Sequence, residues 1–313
     1  MSATDLRALV TGGAGFIGSH VVERLVAQGA RVTVVDNLAT GAPDNLRRVL
    51  DDIQLDRRPL GDVLDNPAFV LGHDVVFHLA ANAYIPPSVE NPAFDFALNL
   101  ETTFRLLELL RKADDRPRLV NTSSAAVYGD PARLPIHESD PTVPISPYGV
   151  GKLAGERYAA VYSALYDMRI SSVRLFSVYG PRHRKQVVYD LVDRLARNPE
   201  RREVIGDGTQ ERDFAFVEDV AAAIVHVGTA APGRGEVYNV ASGTSHSIGQ
   251  LVDVICAVME LTPEIAYTGS VRPGDAERWS VDTSALAGAG CTLGTSLEDG
   301  VRRTWDWYRA ARG

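Results

Sequence analysis

The chain has 313 residues, of which 45% are hydrophobic and 23% charged, a composition typical of a globular protein with one large domain or two modest ones. Its formal net charge of −8 argues against a nucleic-acid-binding surface, because such surfaces are normally basic. The two cysteines and seven histidines form no disulfide framework and no metal-ligand grouping, and no segment resembles a membrane span or a signal peptide. We therefore expect a cytoplasmic protein without a metal.

A strand, a glycine-rich turn and a helix open the chain. The apolar run 6–10 predicts a buried strand. The turn after it satisfies G-x-G-x-x-G with Gly13, Gly15 and Gly18, and a second reading, G-x-x-G-x-x-G, starts at Gly12. Glycines at this spacing allow a tight turn, a close approach of backbone N–H groups to a pyrophosphate, and close packing of the helix on the sheet. Together with the helix N-terminus, they predict a dinucleotide-binding site.

The second predicted strand ends in an acidic residue. A helix over 16–28 leads to a strand over 31–35, and Asp36 follows it, 18 positions after Gly18, close to the roughly 20 positions of dinucleotide-binding folds. A carboxylate at this point accepts hydrogen bonds from the adenosine ribose and repels a 2′-phosphate. Because no arginine or lysine follows before Arg47, the segment predicts NAD rather than NADP.

Strands and helices then alternate over the first half of the chain. This alternation predicts an α/β fold with a Rossmann-type, doubly wound parallel sheet, which we assign to residues 1–176. The further predicted elements are strands over 53–60, 74–81, 118–123 and 170–176, a loop with a short helix over 37–50, a helix over 92–112, and a long helix that begins at Ser146 and Pro147.

The alternation ends after Gly180 and Pro181. The remaining pattern predicts a smaller, mixed α/β lobe over 177–313, from which strands near 236–241 return to the first domain. Its predicted elements are helices over 187–197, 217–227, 248–259 and 297–310 and strands near 203, near 214 and over 237–240.

Tyr148 and Lys152 lie four positions apart on the predicted helix, so their side chains share one face. Lysine is rare here, with only Lys112 and Lys185 besides, which argues against a chance surface charge. A tyrosine that works at neutral pH needs its pKa lowered by roughly 3 units, about 4 kcal/mol. The ammonium of Lys152 and an oxidised nicotinamide, both cationic, would supply that change.

Five segments of the chain carry a further signal: 11–18, 78–81, 123–129, 146–152 and 206–214. Together they resemble those of the extended short-chain dehydrogenases/reductases, and most of all the nucleotide-sugar 4-epimerases of the UDP-glucose 4-epimerase type. The resemblance covers nearly the whole chain. It implies a tightly held NAD, a nucleotide-sugar substrate, a catalytic set of Ser124, Tyr148 and Lys152, and a homodimer formed through the helices near 94–112 and 148–166.

The resemblance also implies which residues contact each ligand. Positions 62 and 63 match adenine contacts and position 99 a contact from a cofactor loop, whereas two arginines match diphosphate contacts and Asp275 a contact to the nucleotide ribose. The implied cofactor-binding residues are Gly12, Gly15, Phe16, Ile17, Gly18, Asp36, Asn37, Asp62, Val63, Leu79, Ala80, Ala81, Asn99, Ser123, Tyr148 and Lys152. The implied substrate-binding residues are Ser124, Tyr148, Ser177, Arg212, Arg272 and Asp275.

The segment after the fifth predicted strand separates the reactions of this family. Nucleotide-sugar 4,6-dehydratases have an aspartate and a glutamate where this chain has Ala125 and Ala126, and UDP-glucuronate decarboxylases have a glutamate at the second position. Since alanine transfers no proton, the resemblance favours epimerisation at C4. Tyr148 would take the proton of the 4-hydroxyl with Ser124 sharing that hydrogen bond, and the C4 hydride would pass to NAD and return to the other face of a 4-keto sugar.

Four features bear on the substrate. Ser177 replaces an asparagine that often contacts substrate in the family, which leaves the exact sugar open. Trp279 matches a position that gates the sugar pocket, and its size predicts non-acetylated hexoses, with UDP-glucose and UDP-galactose first. The cluster 183–185 either holds a sugar carboxylate or is an exposed loop, and Arg212 either binds the diphosphate or supports Asp213 at the surface.

Other functions stay open at this point. The same cleft would suit a UDP-glucuronate 4-epimerase or decarboxylase, or a nucleotide 4-keto-sugar reductase, which would consume its cofactor. A non-catalytic nucleotide sensor or scaffold would also keep the fold. The intact set of Ser124, Tyr148 and Lys152 argues against the last alternative, because a protein without catalysis has no need of it.

Overall fold

The computed structural model describes residues 5–270 and 278–312. The strands are β1 (Arg7–Thr11), β2 (Arg31–Val35), β3 (Ile53–Asp56), β4 (Val75–His78), β5 (Arg118–Ser124), β6 (Ile170–Leu175), β7 (Ser177–Tyr179), β8 (Arg201–Val204), β9 (Glu211–Phe216), β10 (Arg234–Val240), β11 (Ser245–Ser247) and β12 (Glu264–Tyr267). The helices are α1 (Phe16–Ala27), α2 (Leu60–Leu64), α3 (Pro67–Leu71), α4 (Ile85–Glu90), α5 (Pro92–Phe96), α6 (Thr102–Arg111), α7 (Pro147–Tyr166), α8 (Gln186–Arg197), α9 (Val217–Ala230), α10 (Ile248–Met259), α11 (Ser284–Gly288) and α12 (Leu297–Ala310).

The central sheet has seven parallel strands in the order β10-β6-β5-β4-β1-β2-β3. The chain runs outward from β1 to β3, returns to β4 on the other side of β1, and then runs outward again. The carboxyl ends of β1 and β4 therefore flank the point where the strand order reverses, which is where ligands bind in open α/β sheets. This is the Rossmann-type, doubly wound fold that the alternation of elements predicts.

Each face of the sheet has its own apolar core, because successive side chains of a strand point to opposite faces. Ala8 and Val10 of β1 and Phe77 of β4 pack in the cluster that contains α1 and α9. Leu9 and Val76, their neighbours in sequence, pack in the cluster that contains α6 and α7. The strands are buried on both sides, which explains their nearly continuous apolar sequences.

The second half of the chain adds a smaller region with a core of its own. A three-stranded sheet, β11-β9-β7, and a two-stranded sheet, β12-β8, form it together with α8, α10 and α12. β10 leaves this region to become the edge strand of the central sheet beside β6, with an irregularity in register between Arg234 and Val237.

The third predicted strand is shorter than expected. β3 ends at Asp56 and α2 begins at Leu60, whereas the sequence predicts a strand up to residue 60. Asp56 forms an ion pair with Arg58 that turns the chain, and Pro59, which has no N–H for a sheet, precedes the helix. Asp62 and Val63 thus lie on a helix, where Asp62 is exposed and Val63 is buried.

The helix predicted over 92–112 contains a wider turn. A π-helical turn over Ala97–Glu101 separates α5 from α6, and such turns often occur at functional sites. Thr103 bonds its hydroxyl to the carbonyl of Asn99 at 2.6 Å. The turn keeps the side chain of Asn99 buried, with 2% exposed.

Two further observations concern classes of ligand and environment. Within the parts of the chain that the structure describes, no helix combines the length and apolarity that crossing a membrane requires. The same residues contain no group of three or more His, Cys, Asp or Glu side chains that could hold a metal ion.

Candidate active site

The glycine turn lies where β1 passes into α1, and its close contacts leave no room for side chains. Gly12 has φ +71°, and a Cβ on it would lie 2.8 Å from the backbone nitrogen of Ala80. A Cβ on Gly18 would collide with the carbonyl of Gly12. α1 begins at Phe16, as predicted, and has neither a side-chain cap nor an acidic residue in its first turn. Its first N–H groups and the positive end of its dipole therefore face an anion-binding position.

Asp36 holds the loop that follows β2. Its carboxylate accepts hydrogen bonds from the backbone N–H groups of Ala14 at 2.9 Å and Leu38 at 2.8 Å. Gly41 packs so closely on this carboxylate that a Cβ there would lie 2.9 Å from its oxygens. Asp36 is thus buried beside the glycine turn, at the place where the sequence predicts contact with the adenosine ribose.

A chain of hydrogen bonds joins the ends of β1 and β4 to the π-helical turn. The hydroxyl of Thr103 donates to the carbonyl of Asn99, so it accepts from Nε2 of His78 at 3.0 Å. Burial lowers the pKa of His78 to about 3, and the neutral ring then accepts at Nδ1 from Thr11, at 2.9 Å. Thr11 in turn accepts from the N–H of Ala80 at 3.2 Å. This network fixes one tautomer and the positions of both strand ends.

Tyr148 and Lys152 lie on the first two turns of α7, where the sequence places them. Ser146 caps this helix, accepting from the N–H of Gly149 at 3.1 Å. Lys152 is buried and donates to the carbonyl of Thr122 on β5 at 2.9 Å, and its Nζ lies 5.9 Å from the centre of the Tyr148 ring. Ser124 is at the carboxyl end of β5, close enough to the phenol of Tyr148 for its hydroxyl to act on the pKa of that phenol. The structure thus brings the three predicted catalytic residues together.

The electrostatics of this group differ from the expectation. Burial raises the pKa of Tyr148 to about 12, although the hydrogen bond with Ser124 acts in the opposite direction. Burial also lowers the pKa of Lys152 to about 8, so the amine still carries its proton at neutral pH. The sequence-based expectation combines the ammonium of Lys152 with the cation of an oxidised nicotinamide, whereas these values reflect the chain's own groups alone, among which desolvation dominates the pKa of Tyr148. A lower pKa of Tyr148 requires a cation from outside the chain.

A buried carboxylate beside this pair was not found from the sequence. Asp95 on α5 has 1% of its surface exposed and accepts from the side-chain amides of Asn82 at 2.8 Å and Asn99 at 2.7 Å. Its negative charge raises the pKa of both Tyr148 and Lys152. The one available signal was the spacing of Asp95 and Asn99, which are four positions apart on one helix face.

A cavity of about 680 Å³ is lined by residues of the second half of the chain. Ser177 and Arg212, two of the residues expected to bind substrate, line it. Arg272 and Asp275 lie outside the described residues. Among the described residues of its wall, four arginines face two aspartates: Arg194, Arg202, Arg212 and Arg278, and Asp190 and Asp207.

Some polar groups of this wall have no partner among the described residues. The side chain of Arg202 is 11% exposed and pairs with Asp190 at 3.1 Å, yet its Nε is buried without a hydrogen bond, as is Oε1 of Gln210. Burial and the like charge of Arg194 lower the pKa of Arg202. Buried polar groups are normally hydrogen-bonded, so the N–H of Arg202 favours an anionic acceptor in the cavity, whereas Oε1 of Gln210 favours a hydrogen-bond donor.

Comparison with known proteins agrees with this geometry. Residues 8–241 match the model of the NAD dependent epimerase/dehydratase family. The chain belongs to this family. Its expected membership in the nucleotide-sugar 4-epimerase group, its classification as an isomerase, its Rossmann-type fold and its use of NAD are thereby confirmed.

Individual family members are similar over nearly their whole length. The UDP-glucose 4-epimerase of Mycolicibacterium smegmatis is 35% identical, over 97% of this chain and 99% of that protein. A UDP-N-acetylglucosamine 4-epimerase from Methanobrevibacter ruminantium, solved with UDP-N-acetylmuramic acid, superposes with a TM-score of 0.91 at 30% identity, covering 98% and 99% of the two chains. A UDP-glucose 4-epimerase from Thermotoga maritima, solved with UDP-glucose, gives 0.90 at 30% identity, covering 98% and 100%.

The residues of this epimerase/dehydratase family member fit NAD. The turn at Gly12 and Gly18 tolerates no side chain, which suits a cradle for a pyrophosphate above the start of α1. The hydroxyls of Thr122 and Ser123, at the carboxyl end of β5, are buried and have no partner among the described residues. Unpaired hydroxyls beside Lys152 suit the amide of the nicotinamide ring of NAD and the hydroxyls of the ribose attached to it.

Proposed function

We propose that this protein inverts C4 of a nucleotide-linked hexose through a 4-keto intermediate, with UDP-glucose and UDP-galactose as the first candidates. The observation that carries the proposal is the group formed by buried Tyr148 and Lys152 with half-buried Ser124, together with the two alanines, Ala125 and Ala126, that follow Ser124 in the chain. This arrangement holds one phenolic acid/base and offers no side chain for proton transfer at C5 or C6, as elimination would need. Epimerisation needs only one acid/base and a hydride that returns to the substrate.

In this mechanism the chain moves one proton and holds the sugar. NAD, when bound along these residues, would supply the acceptor and donor of the C4 hydride. Tyr148 accepts the proton of the 4-hydroxyl and later returns it, and Ser124 shares that hydrogen bond. Lys152, protonated at neutral pH and fixed on Thr122, stabilises the phenolate. A firmly held diphosphate and a loosely held hexose allow the 4-keto ring to present its other face.

The ligand contacts expected from the sequence stay part of the proposal. NAD would lie along the glycine turn, Asp36 and the ends of β4 and β5, and the diphosphate would bind Arg212 and Arg272, with Asp275 on the ribose. The division into an NAD-binding domain over 1–176 and a nucleotide-sugar-binding lobe over 177–313 is also proposed, with β10 returning to the first. The cytoplasmic location belongs to the same proposal.

Trp279 is the basis for the proposed choice of sugar. Its ring packs edge to face on Phe176, with 5.8 Å between ring centres. Phe176 directly precedes Ser177 in the chain, and Ser177 lines the cavity. We propose that Trp279 disfavours a 2-acetamido group. The cluster 183–185 gives little support to a uronic acid, because its side chains diverge: His183 stacks on Phe16, Arg184 lies over Trp307, and Lys185 lies over Tyr84.

A homodimer through α5, α6 and α7 is the proposed assembly. These helices expose large apolar side chains, and contiguous patches of this kind mark interaction surfaces. On α7, Leu165 has 69% of its surface exposed. Light scattering after gel filtration tests the dimer, and Val161→Glu with Leu165→Glu should give monomers. The exposed residues are Phe94, Phe96, Phe104, Val150, Tyr158, Val161 and Leu165.

The decisive experiment is a panel of nucleotide sugars without added NAD. We expect conversion of UDP-glucose to UDP-galactose in the anomeric proton NMR spectrum, slower conversion of the N-acetylated pair, and deuterium at C4 retained in the product. Release of carbon dioxide from UDP-glucuronate would instead favour the decarboxylase, and stoichiometric consumption of a reduced cofactor would favour the 4-keto-sugar reductase. Binding without turnover of any sugar would favour the sensor.

A further inference from the structure

The segment between β7 and α8 brings a histidine against the cofactor helix. Arg182 anchors this segment by pairing with Glu23 and by donating to the hydroxyl of Ser19 at 3.1 Å, both on α1. The imidazole of His183 then lies flat on the ring of Phe16, with 4.2 Å between ring centres and 5° between planes. Phe16 is the first residue of α1, so the histidine packs at the start of the helix that faces the cofactor pyrophosphate.

This imidazole has polar atoms that nothing in the described chain uses. His183 is 6% exposed, its ring forms no hydrogen bond with any described residue, and it lines the 680 Å³ cavity. Burial lowers its pKa to about 4, with a further contribution from Lys185, so the ring is neutral and offers one donor and one acceptor. His20, buried beside the same Phe16, differs in that its Nε2 pairs with the carbonyl of Pro181 at 3.1 Å.

The position of His183 in the cavity narrows the choice of ligand group. The four arginines come from α8, β8, β9 and the segment after residue 277, and they suit the charged diphosphate. His183 instead packs on the cofactor helix, and the same cavity wall includes Ser177, the first residue of β7. Hydride transfer requires the sugar to lie at the cofactor end of the cavity, and a neutral donor and acceptor is suited to a hydroxyl.

We propose that the neutral imidazole of His183 hydrogen-bonds a hydroxyl of the glycosyl ring and sets the preference for the sugar in this site. This rests on the proposed function. The ring is held ready by its stack on Phe16, so binding costs little side-chain entropy. The contact is made with the sugar and with neither the nucleoside diphosphate nor NAD.

The test compares His183→Phe, His183→Gln and the matched control Arg184→Met. Phe keeps an aromatic ring on Phe16 without polar atoms, Gln places an amide near the position of Nε2 without the stack, and Arg184 is an exposed residue of the same segment. We expect His183→Phe to raise the KM for the nucleotide sugar about five- to tenfold, to leave the inhibition constant of UDP within twofold, and to retain bound NAD. The KM of His183→Gln should lie closer to the wild-type value than the KM of His183→Phe does, and Arg184→Met should have the wild-type KM.

Several outcomes would overturn the assignment. An unchanged KM for His183→Phe rejects the hydrogen bond, and an equal loss of UDP affinity moves the contact to the diphosphate. If a variant loses NAD, the stack of His183 on Phe16 is the important feature and the hydrogen bond is not. The same follows if His183→Gln has a higher KM than His183→Phe at an unchanged thermal midpoint. Failure of the proposed function itself gives a different result, because the wild-type protein would then turn over no nucleotide sugar. The assignment of His183 to a glycosyl hydroxyl would be rejected together with that function.

Discussion

The candidate catalytic group and the cavity differ in how far their charged side chains are paired within the chain. Around Tyr148 and Lys152 the chain supplies its own compensation, with the carboxylate of Asp95 buried nearby and Lys152 fixed on a carbonyl. Among the residues that the structure describes, four arginines and two aspartates line the cavity, and Nε of Arg202 is buried without a partner. The first region is organised before any ligand arrives, whereas the second leaves positive charge for an anion to neutralise. Reaction chemistry and substrate affinity should therefore respond to different substitutions.

The largest effect should come from removing the phenolic oxygen. Tyr148→Phe should reduce kcat by about 10²- to 10⁴-fold, because the substrate hydroxyl loses its general base. The fold and the bound NAD should remain, since the ring still fills its buried site. Single-turnover kinetics and the NAD content of the purified variant measure both. A rate close to that of the wild type would remove Tyr148 from the mechanism.

A substitution in the glycine turn should affect the cofactor and the stability together. Gly12→Ala places a methyl group 2.8 Å from the nitrogen of Ala80 at φ +71°, which should cost roughly 2–5 kcal/mol of unfolding free energy and release NAD. Gly288→Ala is the control, because a Cβ there meets nothing within 4 Å and alanine favours its helix. Thermal denaturation and NAD content are the measurements. Equal behaviour of the two variants would contradict the close packing of the turn.

A substitution in the cavity should weaken substrate binding without lowering the stability of the protein. Arg202→Leu removes a partly compensated buried cation, so the thermal midpoint should stay equal or rise. The KM for the nucleotide sugar should rise about tenfold with kcat unchanged, because only charge neutralisation on binding is lost. A fall in stability with an unchanged KM would mean that Arg202 serves the fold instead.

The smallest expected effect tests the compensation around the catalytic pair. The charge of Asp95 raises the pKa of Tyr148 and of Lys152, so Asp95→Asn should lower both and move the pH profile of kcat toward acid by less than about 1 unit. Asparagine keeps an acceptor for Asn82 and Asn99. Asp65→Asn, in an exposed ion pair with Arg105, is the control. A shift toward alkaline pH would contradict the sign.

Local patterns predicted the elements that local forces determine. The helices over 248–259 and 297–310 occur at exactly the predicted residues, because their apolar periodicity and serine caps act within one turn. The start of α1 and the helix face shared by Tyr148 and Lys152 follow from spacing in the same way. α4, which contains two prolines, and the short strand β11 depend on packing against distant segments, and the sequence pattern predicts neither of them.

Side-chain environments needed the tertiary structure. The burial of Asp95 depends on the π-helical turn and on Asn82, which comes from the loop after β4. The raised pKa of Tyr148 reflects desolvation by surrounding elements, which spacing along one helix does not report. The choice of Thr122 as the partner of Lys152 is likewise made by the packing of α7 on β5.

The edge position of β10 has a consequence for synthesis of the protein. β6 is complete once residue 175 has been made, yet its outer hydrogen-bonding edge stays open until residues 234–240 emerge from the ribosome. An uncovered strand edge is a template for intermolecular pairing, and closing it requires a contact of long sequence separation, which slows folding. A nascent chain or a fragment that stops near residue 176 should therefore depend on chaperones and tend to aggregate.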